Sequence, residues 1–146
     1  MRRSIAFPVI LTPDRKDGGY VVTCRDLPEA ITQGDTVADT LEQAEGALEA
    51  AIEARIEDGL DITSPSRPRR GERIASVPVA TALKAALYVE MREKRVSKSQ
   101  LARKLGVNEK EARRILDPHH STKVPTLERA LSVLGKRVTV EIQDAA

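Results

Sequence analysis

A chain of 146 residues, 40% of them hydrophobic, holds either one domain or two small ones; with no Trp and Phe7 as its one Phe, its core must be built from Leu, Val, Ile and Ala. Cys24 is alone, which excludes an internal disulfide, and no apolar run reaches membrane-spanning length, so a cytoplasmic protein is expected. The net charge of +2 hides an asymmetry: residues 1–64 hold 6 Lys/Arg against 13 Asp/Glu (net −7), residues 65–146 hold 18 against 9 (net +9), and such a split suggests two partners of opposite charge.

Met1-Arg2-Arg3 leads into a strand-like run, not a signal peptide. Arg3 to Leu11 is rich in β-formers, and Pro8 removes one ladder donor, which predicts an edge position or a bulge. Asp17-Gly18-Gly19 is a turn signal, and Tyr20 to Cys24 is the returning strand, with Cys24 a small strand residue. Asp26-Leu27-Pro28 breaks the chain again before a short third strand, Ala30 to Gln33.

Thr36 is a plausible N-cap, with Asp39 in the first turn. Val37, Leu41, Ala44, Leu48, Ile52 and Ile56 recur at spacings of three and four as one apolar stripe. Glu42, Glu45, Glu49 and Glu53 fall mostly off it, giving an acidic outer face that is either solvated or docks a basic partner. Gly59 ends the helix. The order β-β-β-α predicts a small antiparallel sheet with one helix across one face.

Residues 63–78 read as a linker between a domain at 1–62 and a second at 79–146, because Pro65, Pro68 and Gly71 interrupt any period. Arg67, Arg69, Arg70 and Arg73 either touch DNA phosphate or are simply solvated. Ile74 to Val79 is a short extended segment. Thr81 to Lys94 reads as a helix with Leu83, Leu87 and Met91 on one face.

Ser97 with Gln100, and Asn108 with Glu111, are capping-box signatures that open two short helices around Gly106. Leu101, Ala102, Leu105, Ala112, Ile115 and Leu116 face inward, and the pair reads as a helix-turn-helix. Pro125 opens a further helix, with Leu127, Ala130, Leu131 and Leu134 apolar, and Gly135 stops it. Val138 to Ile142 alternates as a strand should. An isolated strand needs a partner. The same strand of a second subunit, or Ile74 to Val79, would supply one, and a homodimer or higher homo-oligomer through this region is expected. The fold class is therefore α+β: a sheet with one packed helix, then an all-α domain with a terminal β-strand.

In a helix-turn-helix, the helix from Glu109 to Leu116 presents its N-terminal end to base edges. Lys110 and Arg114 suit guanine O6 and N7. Arg113 points outward beside them, and Glu109 accepts from cytosine N4 or discourages wrong sites. Asn108 lies at the start of this helix. Lys98, Ser99, Gln100 and Arg103 lie on the first helix, where phosphate contacts fall. His119-His120 with Asp117 is read as a loop near phosphate and not as a metal site, since adjacent histidines diverge and no other His exists. Asp14, Asp17, Asp26 and Asp35 fall in turns, where Asp is locally favoured, which argues against a two-metal nuclease. No catalytic set, cofactor motif or metal-ligand spacing emerges, and no enzyme activity is expected.

The ordered set Asp17-Gly18-Gly19-Tyr20-Val21-Val22, Asp26-Leu27-Pro28 and Thr32-Gln33-Gly34-Asp35-Thr36, followed by an alanine- and glutamate-rich helix, resembles the HicB family of antitoxins. The second half resembles the helix-turn-helix tail of one branch of that family. Glu29 departs from the pattern, where many relatives carry glycine after the proline. The resemblance implies a partial ribonuclease-H-like first domain without nuclease activity. It implies neutralisation of a HicA-type toxin, a small basic mRNA-cleaving ribonuclease, and operator double-stranded DNA as the partner of the second domain. Asp17, Tyr20, Asp26 and Glu29 are then the toxin-contact candidates. The competing reading is a stand-alone repressor whose first domain senses a small ligand.

Overall fold

The computed structural model describes residues 4–144. Along the chain run β1 (Ala6–Pro13), β2 (Tyr20–Thr23), β3 (Thr32–Gly34), α1 (Val37–Glu57), β4 (Arg73–Ser76), α2 (Val79–Lys94), α3 (Lys98–Leu105), α4 (Glu109–Leu116) and α5 (Val124–Ser132). The class is α+β. Arg3, expected to open the first strand, lies outside the described residues.

The strands form one antiparallel sheet in the order β3-β2-β1-β4. β1 serves two ladders in succession: Ala6 to Val9 pair with β4, and Ile10 to Pro13 pair with β2. Pro8 is thus not on an edge strand, yet its segment has a ladder on one side only, which is how the missing donor is accommodated. Phe7 and Val9 enter the core; on the other face Pro8 is also buried, whereas Ile10 is 43% exposed.

The β1–β2 turn is closed by Asp14, whose Oδ1 accepts from the backbone N–H groups of Lys16 and Asp17. Gly19 has φ +72°, and a Cβ there would lie 2.3 Å from the Gly34 carbonyl oxygen. Only glycine allows β2, β3 and the first turn of α1 to converge at this point. Thr36 caps α1 as expected, its Oγ1 accepting from Asp39 N–H at 3.0 Å. Ala44, Leu48 and Ile52 are buried against the sheet, and Leu41 and Ile56 pack at its margins.

The sequence reading needs correction in two places. Residues 73–76, inside the expected linker, form β4 in the sheet. They bury Ala75, with Val77 buried just after the strand, and give the first half of β1 its strand neighbour among the described residues. Because β1 takes this segment, it is not the partner of the C-terminal strand. Val138 to Ile142 has no ladder with any described residue of the chain, and Val140 and Ile142 are 81% and 93% exposed.

Two hydrophobic cores share one helix. Ala85 and Val89 of α2 join the core under the sheet, whereas Leu83, Leu87 and Met91 join a second core with α3, α4 and α5. The sequence reading identified the Leu/Met stripe but missed the smaller stripe beside it. α2 ends at Arg95, a non-glycine residue with φ 54°.

Candidate functional site

α3 and α4 are held by the local signals their sequence carries. Ser97 Oγ accepts from Gln100 N–H at 3.1 Å, and Gln100 Oε1 accepts from Ser97 N–H at 2.8 Å, a complete capping box. Gly106 closes α3 in the left-handed region at φ 69°. Asn108 Oδ1 then caps α4 by accepting from Glu111 N–H at 2.8 Å. Leu101, Ala102, Leu105, Ala112 and Ile115 are buried between the helices, and Arg129 of α5 donates to the Leu105 carbonyl at 2.9 Å.

This packing turns Lys98, Gln100, Arg103, Asn108, Glu109, Lys110, Arg113 and Arg114 outward, with Ser99 half-buried between the helices. Their freedom differs. Ser99 Oγ donates to Glu109 Oε1, tying the two helices. Gln100 and Asn108 are engaged as caps. Arg114 pairs with Glu111 at 3.4 Å one turn away. Among the described residues Lys98, Arg103, Lys110 and Arg113 have no acidic partner, so they are the available cations of this face.

The sheet unit presents a different surface. Asp17 is exposed in the hairpin turn and Tyr20 is half-buried beside it, whereas Asp26 and Glu29 lie beyond the opposite end of β2. The last two are internally bonded. Asp26 accepts from Ser66 N–H at 2.8 Å and Ser66 Oγ at 2.6 Å. Glu29 forms a bidentate pair with Arg55 at 2.6 and 2.8 Å, and the guanidinium holds its carboxyl below the ordinary range.

The acidic face of α1 is divided. Glu42 and Glu45 are exposed, with no partner among the described residues. Glu49 accepts from Thr81 Oγ1 of α2 at 2.6 Å. Further along, His119 sits between two carboxylates, Nδ1 3.0 Å from Glu53 and Nε2 2.6 Å from Glu57. Burial, followed by the neighbouring Glu49 charge, pushes the Glu53 carboxyl up, and His119 pulls it back. The loop bearing His119 is held from behind by Lys84, a buried lysine of α2 whose Nζ donates to the carbonyls of Asp117 and His120. His119, expected near phosphate, therefore joins the helical unit to α1. Nothing local in the sequence announced that role. Lys84 left one trace: a lysine between Leu83 and Ala85 in the apolar part of a helix.

Cys24 is buried just after β2, and burial pushes its thiol up, away from the reactive thiolate. Among the described residues no cluster of three His, Cys, Asp or Glu could hold a metal ion, and no helix is long and apolar enough to cross a membrane. The structure also redistributes the charge. With β4 and the segment before it assigned to the sheet unit, residues 1–78 hold 10 Lys/Arg against 14 Asp/Glu (net −4), and residues 79–146 hold 14 against 8 (net +6).

The class the fold defines is an α+β protein in which a net acidic sheet-and-helix unit shares one helix, α2, with a net basic helical unit. Residues 6–86, which span the whole sheet unit and the first turns of α2, match the model of the HicB-like antitoxin of bacterial toxin-antitoxin systems. The chain is 36% identical to antitoxin HicB of Escherichia coli (strain K12) over 134 residues, covering 92% of this chain and 96% of that protein. It is 38% identical to antitoxin HicB 2 of Photorhabdus laumondii over 138 residues (94% and 96%) and 32% identical to antitoxin HicB of Pseudomonas fluorescens over 146 residues (99% and 100%). The chain belongs to the HicB antitoxin family, and its partner is accordingly a toxin.

Proposed function

We propose that this antitoxin neutralises a HicA-type mRNA ribonuclease through its sheet unit and represses its own operon through α3 and α4, with no enzymatic activity of its own. In this reading α3, Gly106 and α4 are a helix-turn-helix, and the sheet unit is a partial ribonuclease-H-like domain; the β1–β3 meander followed by α1 supports the latter. The observation that carries the DNA reading is the α3–α4 surface: two N-capped helices on a buried apolar floor, with Lys98, Arg103, Lys110 and Arg113 outward and without an ion pair among the described residues. Unpaired cations on a rigid helix pair suit a phosphate backbone, and a helix N-terminus carrying Lys110 suits the major groove. For the toxin, Asp17, Tyr20, Glu42 and Glu45 are the groups free to meet a cationic surface. Asp26 and Glu29 contribute by shaping the loop they hold.

The exposed alternation of Val140 and Ile142 supports a homodimer through the C-terminal segment, which would present two copies of α4 to a palindromic operator. The test is a gel-shift series on the promoter upstream of the gene, together with co-purification of the protein encoded beside it. Arg114 exchanges its long, exposed pair with Glu111 for a base edge in this reading, so Arg114→Ala should weaken specific operator binding by roughly 1–3 kcal/mol while leaving toxin neutralisation intact. Full operator affinity in an Lys110→Ala/Arg114→Ala double variant would remove α4 from the reading head.

A further inference from the structure

The segment before β4 carries Arg67, Arg69 and Arg70, and β4 itself opens on Arg73; all four are exposed. A passive spacer would leave its backbone free, and this one is fastened. Ser66 is bonded to Asp26 through both its N–H and its hydroxyl. Arg25 Nη2 donates to the Arg67 carbonyl at 2.6 Å, and the same guanidinium holds Glu72 at 2.9 and 3.1 Å. Glu72 in turn accepts from Arg69 N–H at 2.7 Å, and Glu72 N–H closes the turn on the Arg69 carbonyl at 3.0 Å, over Gly71 at φ +87°. Pro65 and Pro68 stiffen what remains.

These anchors have an electrostatic consequence. Asp26 and Glu72, the acids that hold the loop, are engaged with Ser66, Arg25 and the Arg69 backbone, and among the described residues Arg67, Arg70 and Arg73 have no ion pair. Two of these guanidinium groups are thus displayed on a preordered turn and the third on the first residue of β4 beside it, in a unit whose total charge is negative. Much of the entropy cost of ordering the turn is already met in the free protein. The guanidinium fork matches phosphate oxygens, and a duplex offers a charge every ~1.7 Å, so several closely set cations find partners without a matched protein surface.

We propose that the Arg67–Arg73 turn is a second nucleic-acid contact that grips the backbone of duplex DNA flanking the site read by α4. The inference rests on operator binding by α4. The turn leads directly into β4 and α2, and α2 is packed in both cores, so these cations are carried at a fixed position relative to the reading head.

The test uses the full chain, wild type and Arg67→Gln/Arg70→Gln/Arg73→Gln, on two promoter duplexes: the minimal operator, and the same site extended by about one helical turn on each side. On the extended duplex the triple variant should bind about tenfold more weakly at low salt. Its slope of log K against log[salt] should fall by about 2–3, at about 0.9 per lost phosphate contact. On the minimal duplex the two proteins should match, and their melting temperatures should agree. An unchanged slope on the extended duplex, with wild-type operator binding intact, overturns this inference alone. So does a loss confined to single-stranded RNA, to toxin binding or to self-association. If the wild type binds neither duplex, the reading of α4 falls and takes this inference with it.

Discussion

The helical unit and the sheet unit reach order by different routes. α3 and α4 are closed by residues inside or beside the helix they bound: Ser97 and Gln100, Gly106, Asn108. The sheet unit has such a device at Thr36, but its other determinants are remote in sequence. β4 pairs with a strand about 67 residues earlier, Arg25 reaches Glu72, and Glu29 reaches Arg55. Local capping fixes where a helix starts, whereas a strand is fixed by whichever segment covers its open edge and its apolar face. The two units then meet through α2, whose small residues serve one core and whose large residues serve the other.

The largest test of that comparison is whether the cores unfold together. Leu87→Ala in the second core and Ile52→Ala in the first each remove a fully buried side chain and should each cost about 2–5 kcal/mol. If α2 couples the units, either substitution shifts one common denaturation transition, followed by probes placed in each unit. Two separated transitions would show that the cores are independent.

Two glycines separate local from remote constraint more finely. Gly106→Ala meets only the backbone cost of φ 69°, with no atom within 4 Å of the added Cβ, and should cost about 1–2 kcal/mol. Gly19→Ala has a similar φ but drives its Cβ into the Gly34 carbonyl, so its loss of stability should be clearly the larger of the two. Equal losses in urea titrations would mean that β3 yields, and that the convergence at Gly34 is soft.

The link between the units should be weaker. His119 is 53% exposed, so His119→Ala should lower stability by only about 0.2–1 kcal/mol, and a double-mutant cycle with Glu57→Gln should recover most of that as coupling. Zero coupling energy would make the contact incidental.

The smallest effect concerns acid. Arg55 depresses the Glu29 carboxyl below its ordinary value near 4.5, so the folded state binds that proton less readily than the unfolded chain. The pair's contribution is therefore present above pH 4.5 and is lost as pH falls through the depressed folded value. Arg55→Gln should bring the two stability curves together on the acid side of this window and leave them apart above it. A constant offset at every pH would assign the cost to lost packing.

Elements with a period or a cap were legible before the structure. The stripe Val37 to Ile56, the box at Ser97, the simpler cap at Asn108, where the Glu111 side chain turns to Arg114 and does not complete the expected box, and the turn at Gly106 carry their geometry in residues a few positions apart. Pro8 was misleading because a strand with a ladder on one side only tolerates proline as an edge strand does. Among the candidate contacts, Lys98, Arg103, Lys110 and Arg113 were identifiable as outward once the inward positions were known. The engagement of Asp26, Glu29 and Ser99 was not, because each partner lies 10 to 40 residues away.

The sequence by itself determined the helices, their caps, the hairpin turn and a rise in basic charge along the chain, since all of these depend on neighbours within a few residues. Tertiary structure alone decided that residues 73–76 complete the sheet, that Val138 to Ile142 is left without a ladder, that His119 bridges to α1 and that the arginine-rich segment is fastened to the acidic unit. The reason is competition. Several segments could have satisfied the open side of β1 or paired with a given carboxylate, and the choice among them follows from how two cores pack around one shared helix, which no local pattern encodes.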